Sequence, residues 1–223
     1  MDIGIQPVRK LAIRNPSRFR KPLSPFRIVE LALSLAALLF LLPLMVLIAA
    51  LIRLESRGPA LFRQDRVGKS GKMFACLKFR SMAADATDRL NHLLAADPAA
   101  RREWELTQKL RNDPRITRIG RFLRKSSLDE VPQLINVVRG EMSLIGPRPI
   151  IPAEVRNYGR HINTYHRVRP GISGLWQISG RSDTSYRRRV ACDVLYVRRK
   201  SFGLDMKITI ATLPAVLLSR GAR

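Results

Sequence analysis

The sequence predicts a mostly helical α+β fold: one membrane-associated domain that follows an N-terminal re-entrant membrane helix-hairpin and carries amphipathic helices on its surface. Three observations lead to this prediction. An uncharged apolar stretch covers residues 31–52, short segments bounded by glycines suggest a small β-hairpin within residues 53–82, and helical periodicity recurs from residue 84 onwards. A chain of 223 residues suits a single domain, or a domain with an appended segment, and can bury a core.

The apolar stretch reads LALSLAALLFLLPLMVLIAALI (Leu31 to Ile52) and is about long enough to cross the hydrocarbon core of a bilayer as one spanning helix. Its flanks argue against spanning, because Lys and Arg are abundant on both sides and positive residues in short flanks stay cytoplasmic. Pro43 lies in the middle and can bend a helix sharply. We therefore predict that residues 26–54 form a re-entrant hairpin bent at Pro43, with a spanning helix as the alternative.

Charge and composition assign the flanking segments. Residues 1–25 are basic and interrupted by prolines, which predicts a disordered arm close to the anionic lipids of the inner leaflet. Residues 55–223 are predicted to form the cytoplasmic domain. Cys76 and Cys192 match no metal-binding spacing and are interpreted as free thiols, and the three histidines form no ligand pattern either.

The formal net charge of +24 requires an anionic partner, and nucleic acid, anionic lipid and a phosphorylated substrate all meet that requirement. The sequence contains no zinc-finger spacing, no aromatic and basic strand motif and no helix-turn-helix pattern. Nucleic acid is therefore not predicted as a partner.

The residues with chemical potential concentrate between Ser126 and Pro149, which reads SSLDEVPQLINVVRGEMSLIGPRP. Ser127 and Glu130 fit an S-x-x-E capping box, which predicts a helix N-terminus that carries Asp129 and Glu130 in its first turn. Four arginines at a spacing of three precede it, and the prolines of GPRP hold Arg148 rigidly. A capped helix beside a solvated basic face is the plain structural interpretation. Two carboxylates, a rigid arginine and a helix N-terminus together favour phosphate chemistry, with a divalent metal bridging acid and anion.

A helix over residues 116–125 leads into these acids and is predicted to place Ile116, Ile119, Phe122 and Leu123 on a buried side. Further helices are predicted over residues 84–112, 152–167 and 184–200 and over the C-terminal apolar segment, which Pro214 interrupts.

Three strings carry a resemblance to a known family. FRQDRVGKSGKMFACLKFRSM (Phe62 to Met82), DPRITRIGRFLRKSSLDEVPQLINVVRGEMSLIGPRP (Asp113 to Pro149) and VRPGISGLWQISGR (Val168 to Arg181) closely resemble the bacterial sugar transferase family, the monotopic phosphoglycosyl transferases. The resemblance covers nearly the whole chain after about residue 24. Several long motifs in the same order are more specific than any single short pattern.

The resemblance implies an enzyme of the bacterial inner membrane whose catalytic domain lies on the cytoplasmic side. It would transfer hexose 1-phosphate, with galactose or glucose as the sugar, from a UDP-sugar to undecaprenyl phosphate and release UMP, as the first membrane step of exopolysaccharide synthesis. The monotopic character of the family supports the re-entrant hairpin. A homodimer is one option for the assembly.

The resemblance also implies roles for individual residues. Asp129 matches the nucleophile of the family, and Glu130 matches the carboxylate that carries Mg²⁺ (or Mn²⁺). Arg124 and Arg148 match phosphate-contacting arginines. Further candidates for substrate binding are Lys78, Arg80 and Arg181.

A second hypothesis is a non-catalytic, membrane-anchored basic adaptor that binds anionic lipid or nucleic acid. The net charge and the apolar stretch support it as well as they support an enzyme. Its weakness is the pair Asp129 and Glu130, since an anion-binding surface gains nothing from two acids at its centre.

Overall fold

In the computed structural model, which describes residues 24–107, 110–179 and 185–217, helices predominate and are accompanied by two small sheets, in agreement with the predicted α+β class. The α-helices are α1 (Pro25–Glu55), α2 (Ala86–Ala96), α3 (Pro98–Thr107), α4 (Arg118–Ser126), α5 (Gln133–Val138), α6 (Val155–Tyr158), α7 (Ile162–Tyr165), α8 (Leu175–Ile178), α9 (Tyr186–Arg199) and α10 (Phe202–Leu217). The strands are β1 (Leu61–Val67), β2 (Met73–Phe79), β3 (Ser143–Ile145) and β4 (Gly171–Ser173). Single 3₁₀ turns cover Lys69–Gly71, Leu128–Glu130, Pro152–Glu154 and Gly159–His161.

Helix α1 is 31 residues long and begins after Ser24, whose Oγ accepts a hydrogen bond from the backbone N–H of Arg27 (3.3 Å). Pro25 occupies the first turn, where its missing N–H costs no hydrogen bond. The helix is long and apolar enough to cross a membrane. Pro43 lies inside this single helix, so the helix-hairpin predicted over residues 26–54 is not confirmed.

Both ends of α1 contact the rest of the chain. Towards its C-terminal end, Met45, Ile48 and Ile52 are buried in a cluster with Phe79 and Leu123. Towards its N-terminal end, the helix packs beside α5 and β3. Most of its other large apolar side chains are exposed, and an apolar surface of this extent usually contacts lipid or another protein.

Strands β1 and β2 form the antiparallel hairpin that the sequence predicts, with Gln64 opposite Cys76. Side chains alternate along a strand, and residues paired across two strands share a face. Arg66, Cys76 and Lys78 therefore lie on one face of the hairpin, and this face forms a wall of the candidate site.

Asn136 joins the hairpin to α5. Its Oδ1 accepts a hydrogen bond from the backbone N–H of Leu77 (3.0 Å), and its Nδ2 donates to the carbonyl of Ala75 (2.8 Å) and to Glu141 Oε2 (2.6 Å). The side chain is fully buried. These bonds fix the position of β2 relative to the segment that precedes α5.

Helix α4 begins after Thr117, whose hydroxyl oxygen accepts from the N–H of Gly120 (2.9 Å). Leu123 is fully buried as predicted, but Phe122 is 61% exposed, so its predicted burial is wrong. Adjacent positions on a helix point about 100° apart, and only a narrow side of this helix is covered. The covered side is the one that carries Gly120. This residue lies so close to the neighbouring backbone that a Cβ on it would be 2.0 Å from the carbonyl oxygen of Ser81.

Strands β3 and β4 pair in parallel, with Ser143 opposite Gly171 and Ile145 opposite Ser173. The two backbones approach closely, because a Cβ at Gly171 would lie 2.1 Å from the backbone nitrogen of Gly146. Strand β3 leads directly into the GPRP segment, so this pairing holds the start of that segment in place.

The C-terminal part departs from prediction in two places. The helix predicted over residues 152–167 is divided into single turns and one-turn helices, and Gly159 interrupts it with φ +46°. Helix α10 continues past Pro214, so the predicted interruption is not seen. Helix α9 agrees with prediction, because it buries Asp193 and Tyr196 while most of its arginines are exposed.

We predict that Asn136→Ala lowers the free energy of unfolding by about 2–4 kcal/mol, since it leaves a buried N–H and a buried carbonyl without partners. Thermal and chemical denaturation of the full chain in detergent measures this change. Asn91, which is exposed on α2, provides the matched control, and Asn91→Ala should change stability by less than about 0.5 kcal/mol. Equal stability of the two variants would contradict the role of Asn136.

Candidate active site

Asp129 and Glu130 lie in the 3₁₀ turn Leu128–Glu130, between the end of α4 and the start of α5. Ser127 ends α4 in a left-handed conformation (φ 59°), and its side chain makes no capping hydrogen bond to the turn. The predicted capping box is therefore wrong. Helix α4 extends to Ser126, so that Ser127 terminates one helix instead of starting the next.

Lys78 reaches both acids from the end of β2. Its Nζ lies 2.5 Å from Glu130 Oε1 and 3.8 Å from Asp129 Oδ2. The side chain of Asp129 is 14% exposed and that of Glu130 is 31% exposed. One ammonium group thus compensates two adjacent carboxylates, and it lies closer to Glu130.

The pKa values of the two carboxyl groups shift in opposite directions. Burial raises the pKa of Asp129 to about 6, against the opposing effect of Lys78 and with support from the charge of Glu130. Burial also acts to raise the pKa of Glu130, but the charge and hydrogen bond of Lys78, together with Arg148 and Arg66, outweigh it and lower that pKa. At neutral pH, Glu130 is therefore a stable anion, and Asp129 is mostly ionised but more basic.

A small cavity beside the acids is lined by cationic side chains. Arg66, Lys78 and Arg148 face it together with Glu130. Three cations around one carboxylate leave excess positive charge, and guanidinium groups bind phosphate oxygens in a bidentate manner. The charge of this lining suits a phosphate group, whereas the cavity volume of about 20 Å³ is too small to enclose a whole phosphorylated ligand.

Arg124 approaches the acids from α4. Its Nε donates to Ser81 Oγ (2.9 Å), and its charge acts to lower the pKa of Asp129. Burial lowers the pKa of Arg124 itself, while Asp129 opposes that change. The structure thus brings Arg124 to the nucleophile candidate, as the sequence predicts.

Arg148 is oriented by one contact of its side chain and one contact of its backbone. Its guanidinium carbon lies 5.4 Å from the centroid of the Trp176 ring, within the range of a cation–π interaction. Its carbonyl oxygen accepts a hydrogen bond from the Tyr165 hydroxyl (3.2 Å). The GPRP segment therefore presents this arginine to the cavity in a defined orientation.

Motif spacing does not select Arg66, although it belongs to the site. The side chain is 8% exposed, and its Nη1 donates to the carbonyl of Pro149 (2.8 Å), which ties β1 to the GPRP segment. The signal that identifies it is the hairpin register, because alternation places Arg66 on the same face as Lys78.

One predicted residue is not brought to the acids. Arg80 follows the end of β2 at Phe79 and turns towards α1, where its Nη2 donates to the carbonyl of Ser56 (2.5 Å). A Cβ at Gly58 would lie 2.4 Å from its Nη1, so Arg80 fills the junction between α1 and β1. Arg181 lies outside the described residues.

Glu130 has the properties of a single-carboxylate metal ligand. Its carboxylate is ionised, partly exposed and next to the cationic cavity. Within the described ranges, no group of three or more His, Cys, Asp or Glu side chains is placed to form a closed metal cage. Mg²⁺ commonly takes one or two carboxylates and completes its shell with substrate phosphates and water. Glu130 could therefore hold a magnesium ion only together with a phosphorylated substrate, because it is a single carboxylate and its Oε1 is engaged by Lys78 at 2.5 Å.

Comparison with known proteins identifies the family, since the family model described as "Bacterial sugar transferase" matches residues 24–219. The chain belongs to the bacterial sugar transferase family. The "UDP-galactose-lipid carrier transferase" of Erwinia amylovora is 46% identical over 209 residues, which are 94% of this chain and 43% of that protein. The "Exopolysaccharide production protein ExoY" of Rhizobium meliloti (strain 1021) is 48% identical over 192 residues, 86% of this chain and 84% of that protein. The "Undecaprenyl-phosphate glucose phosphotransferase" of Komagataeibacter xylinus is 43% identical over 220 residues, 91% of this chain and 38% of that protein.

This sugar transferase chain spans less than half the length of two of these relatives and most of the length of the third. The matched region contains every predicted site residue, from Lys78 to Arg181. The resemblance that the motifs indicate is thereby confirmed at the level of the family.

We predict that Lys78→Met raises the pKa of both Asp129 and Glu130, because it removes the ammonium group that favours their ionised forms. Carboxyl ¹³C NMR of the native chain should show Asp129 titrating at about 6, assigned with Asp129→Asn. Lys72→Met, at an exposed position beside the hairpin turn, should leave both values unchanged. An unchanged or lower pKa for Asp129 in Lys78→Met would show that Lys78 does not act on it.

Proposed function

We propose that this sugar transferase moves hexose 1-phosphate from a UDP-sugar to undecaprenyl phosphate, releases UMP and thereby starts the assembly of an exopolysaccharide. The observation that carries the proposal is the pair Asp129 and Glu130, whose pKa values shift in opposite directions beside Lys78 and a cavity lined by arginines. The names of the relatives support undecaprenyl phosphate as acceptor and a UDP-sugar as donor. They name both galactose and glucose, and we propose one of these two sugars.

In the first half-reaction, a carboxylate oxygen of Asp129 attacks the phosphorus atom next to the sugar. The new P–O bond forms as the bond to the UMP phosphate oxygen breaks, and UMP leaves with the bonding electron pair. The sugar phosphate is then joined to Asp129 as an acyl phosphate. A carboxylate with a raised pKa that is still ionised at neutral pH is a stronger nucleophile than an ordinary aspartate.

In the second half-reaction, a phosphate oxygen of undecaprenyl phosphate attacks the same phosphorus atom. The bond to Asp129 breaks, and the carboxylate leaves with its electron pair and is regenerated. The two steps exchange one phosphoanhydride bond for another, so that no water and no net proton are consumed.

Cationic side chains stabilise the transferring group in both steps. Arg66, Arg148 and Lys78 line the cavity and would contact the phosphoryl oxygens, where negative charge accumulates in the transition state. A Mg²⁺ (or Mn²⁺) ion held by Glu130 would neutralise charge on the diphosphate. Glu130 is suited to this role because its pKa is lowered, so that protons do not compete for its oxygens.

We place the enzyme at the cytoplasmic face of the inner membrane, with α1 entering and leaving on the same side. Arg27 near one end of α1 and Ile52 near the other both contact the same domain. In a straight helix these residues would be about 37 Å apart, more than the roughly 30 Å of a hydrocarbon core. A domain on one side of a bilayer cannot touch both ends of an upright spanning helix, and this supports a re-entrant arrangement. Anionic lipids would bind the basic flanks, and a homodimer stays a prediction.

UMP release from the full chain in detergent, with Mg²⁺, undecaprenyl phosphate and a panel of UDP-sugars, tests the proposed reaction. We expect release with UDP-galactose or UDP-glucose and its loss on chelation. Asp129→Asn should retain less than about a hundredth of the activity, because a carboxamide cannot form the covalent intermediate. Higher residual activity would refute covalent catalysis through Asp129.

A matched pair of arginines on α4 provides the control. Arg124→Gln should lower kcat/KM about tenfold or more, since Arg124 faces the nucleophile. Arg121→Gln, at an exposed position on the same helix, should stay within about threefold of the native value. If the folded native protein releases no UMP with any UDP-sugar of the panel, the basic adaptor hypothesis is favoured instead.

The membrane arrangement is tested by cysteine accessibility in a background without native cysteines. We expect a cysteine in the basic arm (residues 1–25) and a cysteine at Arg57, beyond the other end of α1, to resist a membrane-impermeant thiol reagent in intact cells. Both should react once the inner membrane is permeabilised, because both flanks carry positive charge. Reaction of the arm alone in intact cells would mean that α1 spans the membrane.

A further inference from the structure

The N-terminal end of α1 carries a buried ion pair whose two members also bind the backbone of the catalytic domain. Arg27 is 7% exposed; its Nη1 lies 2.5 Å from Glu30 Oε2, and its Nη2 donates to the carbonyl of Val137 (2.7 Å). Glu30 Oε1 accepts hydrogen bonds from the backbone N–H of Leu144 (2.6 Å) and from the hydroxyl of Ser143. One turn of α1 thus holds two separate segments.

These two segments are the ones that carry the site. Val137 lies in α5, which directly follows the turn with Asp129 and Glu130. Leu144 lies in β3, which leads into GPRP and Arg148. Arg27 and Glu30 thus form a bridge that links, through α1, the segment that follows the acids to the segment that leads to Arg148.

The bridge has a fixed polarity. An arginine side chain can only donate hydrogen bonds, and an ionised glutamate can only accept them. Arg27 meets a carbonyl group and Glu30 meets an N–H group, so the two side chains cannot exchange places. A further hydrogen bond holds the loop between α5 and β3, where Arg169 Nε donates to the carbonyl of Gly140 (2.8 Å).

We propose that Arg27 and Glu30 are positioning residues of the phosphate-transfer site, which couple the docking of α1 to the spacing between the acidic turn and the GPRP segment. The activity part of this inference rests on the proposed function. A displacement of about 1 Å between reacting groups can cost about a hundredfold in rate. Loss of the bridge therefore lowers turnover although neither residue touches the substrate.

The test compares Glu30→Ala, Arg27→Ala and the charge swap R27E/E30R in the full chain in detergent. Each single variant should lower kcat/KM for the UDP-sugar about 10- to 100-fold, with a raised KM, because Arg148 is displaced. The kcat/KM of the charge-swap variant should remain as low as that of the single variants, because a reversed pair cannot bind the backbone of Val137 and Leu144. Restoration of activity by the swap would overturn the proposal, since attraction between the two charges would then suffice.

Ser34→Ala is the matched control. Ser34 is buried on the same helix, but its hydroxyl donates to the carbonyl of Glu30 within α1 (2.7 Å) and makes no bond to α5 or β3 among the described contacts. It should keep kcat/KM within about twofold. A loss as large as that of Glu30→Ala would attribute the effect to α1 in general and would contradict the bridge.

Hydrogen exchange gives a readout that needs no substrate. Glu30→Ala should accelerate amide exchange in residues 143–149 and leave residues 61–79 unchanged, whereas Ser34→Ala should change neither. If the native chain releases no UMP, the proposed function fails while this comparison still decides whether the bridge exists. If Glu30→Ala does not fold, Glu30→Gln keeps an acceptor for Leu144 and should give a smaller change in the same residues. Unchanged exchange in residues 143–149 would overturn the proposal.

Discussion

The structure depends on compensating two adjacent carboxylates that are largely withdrawn from water. Asp129 and Glu130 stand together in a short turn, and the ionised pair is tolerated there because Lys78 lies within 4 Å of both. The position of Lys78 depends on the hairpin register, and the hairpin is in turn fixed to α5 by Asn136. Much of the surrounding packing thus serves to keep one ammonium group beside two acids.

Lys78 lies closer to Glu130 than to Asp129, and this difference contributes to the opposite pKa shifts of the two carboxyl groups. Glu130 receives the closer contact and the nearby arginines, so it remains an anion, while Asp129 is more basic. Two neighbouring carboxylates with separate environments can take separate roles, one toward phosphorus and one toward a metal ion. An isolated carboxylate could not take both of these roles at the same time.

The sequence was sufficient for the features that depend on local pattern. Short segments between glycines predicted the β-hairpin, and family motifs selected Lys78, Arg124 and Arg148, which do meet at the acids. The uncharged stretch predicted a helix-hairpin bent at Pro43, of which the helical character is seen in α1 and the bend is not confirmed. Features that depend on neighbours in space were not accessible. Arg66 joins the site through strand register, while Arg80 leaves it because β2 ends one residue earlier.

Local rules failed where two elements competed for the same residue. Ser127 satisfies the capping pattern for the helix that follows, but α4 extends far enough to use it as a terminator. Phe122 fits an apolar stripe, but nothing in the described fold covers it. For Ser127 and Phe122 the outcome depended on packing rather than on residue type. The bend predicted at Pro43 is not confirmed, since Pro43 lies within one continuous helix.

The described residues that surround the cavity all come from one central part of the chain, between Arg66 and Gln177. The ends of the chain contribute none of them, and the longer relatives match this chain over less than half of their own length. A module of this kind can be joined to other regions by gene fusion without any change to its chemistry. The regions joined to such a module can therefore differ in how they tether or regulate it, while the charges around the cavity stay within the module itself.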